Sequence, residues 1–406
     1  MRDGAINRAE RVFLNQDAAR SFDSGSTLSR EPLAFHQRMA GYAPTPLVDA
    51  PTIARRFGCD RVWIKTETER FGLPAFKIMG ASWATYRVLL AELERRSLPA
   101  PTGPATIDEL KLAVAPLRPL TLTCATDGNH GRAVARMARL HNLGAHVFVP
   151  AEMDPARIAA IAGEGADVTK FDGTYDDAVA QSAAAAGERC LVISDTAWPG
   201  YHDVPSWVIE GYSSIFWEVD DELEARGERG PTFVAVQIGV GALAAAVVRH
   251  FRRSGVDPRP FILGIEPTHA ACVLRSMEAG VLTRLPGPHD SIMAGLNAGL
   301  PSEVAWPLVS AGIDAFVAVD DHRAYEGIEL LAADGVAAGE TGAAGLAGVL
   351  GWRNITGRDF TSERLLLICT EGQTGTVTSH MPSAVESADS AEDGGGQAQI
   401  LRLRSE

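Results

Sequence analysis

The apolar and polar positions of this chain repeat with two different periods, and from residue 120 onward the two alternate. Apolar or alternating runs at 120–125, 145–149, 167–171, 190–194, 233–238, 261–265, 316–319 and 365–369 predict strands. Between them, 132–142, 155–162, 175–186, 206–224, 244–254, 269–280, 321–334 and 341–350 carry helical spacing. Strands alternating with helices mean βαβ units and a parallel sheet, so the fold class is α/β. Upstream, 51–58 reads as a short helix and 61–67 as a strand. The helix predicted over 78–96 ends in Arg95-Arg96, a pair that suits a helix C-terminus. Residues 97–119, rich in Pro and small residues, read as a surface excursion with one weak helix. Residues 1–40 are polar and mixed, and 21–30 is too polar for a core. They read as a loosely attached arm, followed by an extended, proline-braced entry at 41–48.

Composition narrows the function classes. A length of 406 residues with 46% hydrophobic and 22% charged content fits a globular enzyme of two domains or one large split domain. The net charge of −14 argues against nucleic acid or an anionic membrane as partner. The five cysteines are scattered and form no C-x-x-C pair, which fits a reducing cytoplasm. No apolar run opens the chain as a signal peptide would, and none is long enough to span a bilayer. From residue 383 the sequence is Ser, Ala, Glu, Asp and Gly, too polar to fold alone. It reads as a disordered tail, with 400–403 as a candidate edge strand.

Three stretches carry chemistry. Lys77 sits in Leu73-Pro74-Ala75-Phe76-Lys77-Ile78-Met79-Gly80, at the mouth of an apolar helix. An apolar setting lowers a lysine's pKa and makes it a nucleophile for an aldehyde cofactor; the rival is a stem that snorkels to water. The loops at 126–131 (TDGNHG) and 239–243 (GVGAL) each leave a strand and open a helix, where backbone amides and the helix dipole hold anions. The first suits a carboxylate and the second a phosphate; each also reads as ordinary strand-to-helix turn chemistry. The second further matches G-x-G-x-x-A, with Glu266 ending the next strand about 25 residues on, a dinucleotide fingerprint. An oxidoreductase has no need of the lysine and asparagine loops, which separates the readings. His130 reads as a loop histidine satisfying backbone groups, and Trp198, Trp207 and Trp217 as packing residues. No His/Cys spacing suggests a metal.

AFKIMGAS, ATDGNHGRAVA, DTAWPGY, VPSWVIEGY, GVGALA, GIEP, IMAGLNAG, GETGAAGL and CTEGQTG follow one another in order. In this the chain resembles the 2,3-diaminopropionate ammonia-lyase family, within the tryptophan-synthase-β-like (fold type II) pyridoxal-phosphate enzymes, over about residues 40–375. The resemblance implies two open twisted, mostly parallel sheets flanked by helices. It implies a large cofactor domain (1–84 and 206–382), a small domain (85–205) and a cytoplasmic homodimer acting on a small amino acid. Lys77 would hold pyridoxal 5'-phosphate through a carbon–nitrogen double bond, and Asp127 would be a second acid/base group. Gly239, Val240, Gly241, Ala242 and Leu243 would cradle the phosphate. Asn129 would face the cofactor ring oxygen or the substrate carboxylate, and Thr370 the pyridine nitrogen. Thr126, Gly128 and Asp195 would serve the substrate, Asp195 alternatively being a structural cap. The family's last loop reads T-E-G-D-T-D, whereas Gln373 and Gly375 stand here where its aspartates would. The expected reaction is elimination of ammonia from 2,3-diaminopropionate. Alternatives are β-elimination or β-replacement on serine or an O-substituted serine, and a ligand-sensing relative without turnover.

Overall fold

The computed structural model describes residues 9–15, 22–25, 28–103, 105–373 and 399–402. In chain order the elements are β1 (Arg11–Leu14), α1 (Glu31–Gln37), β2 (Leu47–Asp49), α2 (Pro51–Phe57), β3 (Arg61–Thr66), α3 (Lys77–Arg95) and α4 (Ile107–Ala113). The next block is β4 (Thr121–Ala125), α5 (Asn129–Leu140), β5 (Gly144–Pro150), α6 (Pro155–Ala162), β6 (Asp167–Phe171), α7 (Tyr175–Ala184) and β7 (Cys190–Val192). Then come α8 (Asp203–Ala225), β8 (Phe233–Gln237), α9 (Ala242–Phe251), β9 (Phe261–Pro267), α10 (Cys272–Ala279) and α11 (Trp306–Gly312). The last are β10 (Ala315–Val319), α12 (Asp321–Ala333), α13 (Glu340–Thr356), β11 (Arg364–Cys369) and β12 (Gln399–Arg402).

The strands form two sheets. One has eight strands in the order β12-β1-β10-β9-β8-β11-β3-β2, the other four in the order β6-β5-β4-β7. The smaller sheet is wholly parallel. The larger is parallel except at β1–β10 and β2–β3. Its central strands β8, β9, β10 and β11 are buried along their whole length or nearly so, as a parallel sheet covered on both faces requires.

Lys77 is the first residue of α3, and two devices fix where that helix begins. The first is a close crossing of α3 on α8. A Cβ on Gly80 would lie 2.6 Å from a Tyr212 ring carbon, and one on Gly211 would lie 2.4 Å from the Met79 carbonyl oxygen. Only glycine lets the two backbones come so near. The second is a buried charge network under the loop that leads into Lys77. Arg70 Nη1 and Nη2 each lie 2.8 Å from a Glu218 oxygen, and Arg70 Nε lies 2.9 Å from Glu67 Oε2. Lys65 Nζ adds a bond of 2.7 Å to Glu218 Oε2. The loop is then stitched to the exit of β11: Phe76 N donates to the Thr370 carbonyl, and Gly372 N to that of Pro74.

The described residues among the first forty do not match the loose arm expected. β1 pairs antiparallel with β10, and α1 buries Phe35 against Tyr86 and Trp83. His36 in α1 bonds to Ser214 Oγ at 2.8 Å and to the Met79 carbonyl at 3.0 Å. A four-residue strand and a seven-residue helix are too short to show a period, so the polar residues around them dominate the pattern. In the tail expected to be disordered, Gln399–Arg402 form a strand parallel to β1; the rest of 383–406 lies outside the described residues.

Arg70 stands between two carboxylates and is the only cation paired with Glu67 among the described residues, so replacing it strands buried charge. Arg70→Met should lower unfolding free energy by roughly 3–5 kcal/mol in urea titration.

Candidate active site

Five segments meet at the C-terminal ends of parallel strands, where open α/β sheets leave their crevices. They are the start of α3, the turn from β4 into α5, the loop after β7, the turn from β8 into α9, and the exit of β11. Together they wall a cavity of about 60 Å³. Of the residues expected to form the site, Lys77, Asp127, Asn129, Asp195, Gly239, Val240, Gly241, Ala242, Leu243 and Thr370 line it. Thr126 and Gly128 do not. The Thr126 hydroxyl turns inward and accepts from Gly128 N at 2.9 Å and Gly131 N at 3.0 Å, holding the turn together.

The centre of the cavity is an ion pair. Lys77 Nζ lies 2.6 Å from Asp195 Oδ2. Burial, the largest single influence on Lys77, would lower its pKa as the sequence suggested. Asp195, Tyr212 and Asp127 outweigh it and hold the lysine above its ordinary range. Apolar neighbours are therefore not what sets this lysine; a carboxylate is. Burial pushes Asp195 up, but Lys77, His130 and the Tyr175 hydroxyl, 3.1 Å from Oδ1, together hold it well below the ordinary carboxylate range. Asp127 has no such bond to Lys77. Burial raises its pKa, Lys77 and Arg157 pull against that, and Asp195 adds to it. The two aspartates of one cavity are thus shifted in opposite directions, Asp195 down and Asp127 up.

Around this pair the polar groups are tied to one another. Asn129 Nδ2 donates to Glu371 Oε2. Arg157 Nη1 donates to the Asp127 carbonyl at 3.3 Å. Gln237 Nε2 donates to Thr370 Oγ1 at 2.9 Å and to the Thr341 and Ile368 carbonyls. Arg157, Tyr175, Gln237, Thr341 and Glu371 line the cavity and were not singled out from sequence. Two of them, Thr341 inside GETGAAGL and Glu371 inside CTEGQTG, stood in quoted motifs. Trp198 stacks on Tyr201, while Trp207 and Trp217 pack against arginines, as packing residues do.

The turn from β8 is a cradle. Gly241 has φ +101, and a Cβ on Gly239 would lie 3.1 Å from the Gly295 carbonyl oxygen. It opens α9, whose first-turn N–H groups have no partner within the helix. The dinucleotide alternative requires Glu266 to be free for a ligand. It is not: its oxygens accept from Val273 N at 2.8 Å and Leu274 N at 2.7 Å, capping α10.

Residues 39–371 match the family described as pyridoxal-phosphate dependent enzyme. The chain is similar to the diaminopropionate ammonia-lyase of Salmonella typhimurium, 34% identical over 88% of this chain and 92% of the relative. It is similar also to that of Escherichia coli, 32% identical over 91% and 94%. A crystal structure of the E. coli enzyme with an aminoacrylate–PLP azomethine reaction intermediate superposes with a TM-score of 0.79. It is 28% identical and covers 90% of this chain and 94% of that one.

The residues present fit pyridoxal phosphate. The cavity offers one lysine amine, a glycine cradle at a helix N-terminus that a side chain would fill, and a neutral hydroxyl at Thr370. The Gln237 Oε1 atom is buried there without a partner among the described residues.

Burial lifts Glu266 to about 8, whereas an unfolded chain ionises it near ~4.3. Between those values the folded state holds the extra proton, so this group makes stability fall as pH rises. Glu266→Gln should flatten that slope. Its urea stability relative to the parent should rise by at least about 1 kcal/mol from pH 5 to pH 8.

Proposed function

Because the chain belongs to the pyridoxal-phosphate dependent enzymes and, within them, to the diaminopropionate ammonia-lyase family, we propose that it catalyses α,β-elimination of ammonia from 2,3-diaminopropionate, giving pyruvate and ammonia. The observation that carries this is Lys77 held against Asp195 in a cavity that also contains Asp127, whose carboxyl burial shifts upward.

Lys77, the glycine cradle at 239–243, Asn129 and Thr370 would hold the cofactor. Bound, it supplies an electron sink for the pair left behind when a Cα–H bond breaks. Lys77 Nζ takes the Cα proton of the L-isomer. The Asp127 carboxyl gives its proton to the β-nitrogen, which leaves as ammonia; burial favours the protonated form this step needs. Asp195 orients Lys77. Asp127 comes from a different wall of the cavity and is the candidate base for the D-isomer. Residues 85–205 act as a small domain over the cleft, excluding water. Five unpaired cysteines support a cytoplasmic enzyme, and we take it as a homodimer.

The missing loop aspartates favour a second reading, elimination or replacement on serine or an O-substituted serine. Gln373 is exposed and does not line the cavity, and Gly375 lies outside the described residues. Asp195 and Glu371 still line it, carboxyl groups able to accept from a second amino group. That supports the diamine.

The holoenzyme should be yellow, and borohydride should fix a mass adduct on Lys77; Lys77→Ala should lose both. Ammonia release across a panel of β-substituted alanines should be fastest for 2,3-diaminopropionate; a faster serine or O-acylserine would favour the second reading. Asp127→Asn should cut D-isomer turnover by about 10²-fold or more, with a smaller loss for the L-isomer. Equal losses would refute its separate role toward the D-isomer.

A further inference from the structure

Arg157 has no part in the steps above, yet it stands where a substrate must pass. α6 carries it, half-buried, to the neck between the cavity and an outer chamber of about 500 Å³. Arg157, Asp127, Tyr175 and Asn297 line both spaces. The arginine side chain lies over the turn into α5. A Cβ built on Gly128 would sit 3.5 Å from Arg157 Cδ and 3.7 Å from Nη1. Nη1 also donates to the Asp127 carbonyl at 3.3 Å, which ties the guanidinium to that turn.

An α-amino acid brings a carboxylate into this cavity, whose walls are ill suited to one. Asp127, Asp195 and Glu371 place three carboxyl groups there, against two cationic side chains among the described residues, Lys77 and Arg157. Lys77, on the reading above, is committed to the cofactor aldehyde. The turn at 126–131, which the sequence offers as a carboxylate site, has several donors already spent. Gly128 N and Gly131 N donate to the Thr126 hydroxyl, and Asn129 Nδ2 to Glu371. What remains is the start of α5, whose first-turn N–H groups have no partner within the helix, and the guanidinium lying against it. Arg157 already acts across this space. Burial raises the Asp127 and Glu371 carboxyls, and Arg157 is among the groups that pull both down.

We propose that Arg157 binds the α-carboxylate of the substrate, and so selects amino acids from other amines. A guanidinium presents a planar fork of N–H donors that matches the two oxygens of a carboxylate. A lysine there would offer the charge without the fork. With the carboxylate drawn to this wall, the cavity's own carboxyl groups are left to the nitrogen end of the substrate. The outer chamber supplies no rival. Glu152, Asp154, Asp290 and Glu340 line it and repel a carboxylate, and its His289 is bonded to the Leu285 carbonyl. The inference rests on the α-amino-acid chemistry proposed above for Lys77.

The test is amine binding to the cofactor-loaded protein, followed through the absorption of the cofactor. L-alanine and ethylamine are the probes, since they differ only in the carboxylate. Neither carries a β leaving group, so binding is read without elimination. Arg157→Met should weaken L-alanine by roughly 10–100-fold and leave ethylamine within about twofold. Arg157→Lys should recover part of the loss. Equal weakening of both probes, or an L-alanine affinity that Arg157→Met leaves at the parent's value, overturns the inference. Should Arg157→Met not take up the cofactor, Arg157→Lys decides by the same comparison of the two probes. Ammonia release by the parent protein keeps the two claims apart. Release from 2,3-diaminopropionate together with an L-alanine affinity indifferent to Arg157 removes this carboxylate site and leaves the lyase reading intact. A parent spectrum that L-alanine, ethylamine and 2,3-diaminopropionate all leave unchanged sinks both.

Discussion

The site depends on one contact, the ammonium of Lys77 against the carboxylate of Asp195. The lysine comes from the helix that follows β3 of the larger sheet, and the aspartate from the loop that follows β7 of the smaller one. Neither charge is tolerable at that depth alone. Each keeps the other ionised, and together they pin the ends of two sheets to a common point. The second aspartate of the cavity, Asp127, lacks such a bond, and burial shifts its pKa up. One ion pair thus sets both the geometry of the cleft and the division of labour among its acids.

That contact is only as well placed as the helix that carries it. Gly80 and Gly211 let α3 and α8 cross closely, and the Arg70 network holds the preceding loop from below. The amides at Phe76 and Gly372 then register the loop against the end of β11. Lysine, threonine hydroxyl and glycine cradle are therefore carried by rigid, mutually bonded segments. A cavity assembled this way needs little reorganisation to receive a ligand, and its dipoles are already aimed.

Much of this was legible in the order of residues. The alternation of strand and helix from residue 120 onward, the lysine at a helix start and the two loops that open helices all have local signatures, and the structure places them as their periods require. What was not legible is long-range. The direction of the Lys77 pKa came out opposite to the reading of its neighbours because the deciding carboxylate is 118 positions away in the chain. Arg157 reads as an ordinary first-turn residue of α6, and Tyr175 as the first residue of α7. Packing alone turns both into the cavity. Gln237 ends a buried strand in a position where a polar side chain gives no hint of its partners. β1 and α1 escaped because elements of four and seven residues carry no measurable period.

The larger sheet ends in a feature with a different consequence. β1 would be its outermost strand were it not for β12, which pairs with it in parallel, Gln399 opposite Arg11. An uncovered strand is a template on which another chain can build. Here β12 covers β1 and takes the outer position itself, so the edge of the sheet is a four-residue strand, Gln399–Arg402. Without Gln399–Arg402, β1 would present its backbone on that side of the sheet.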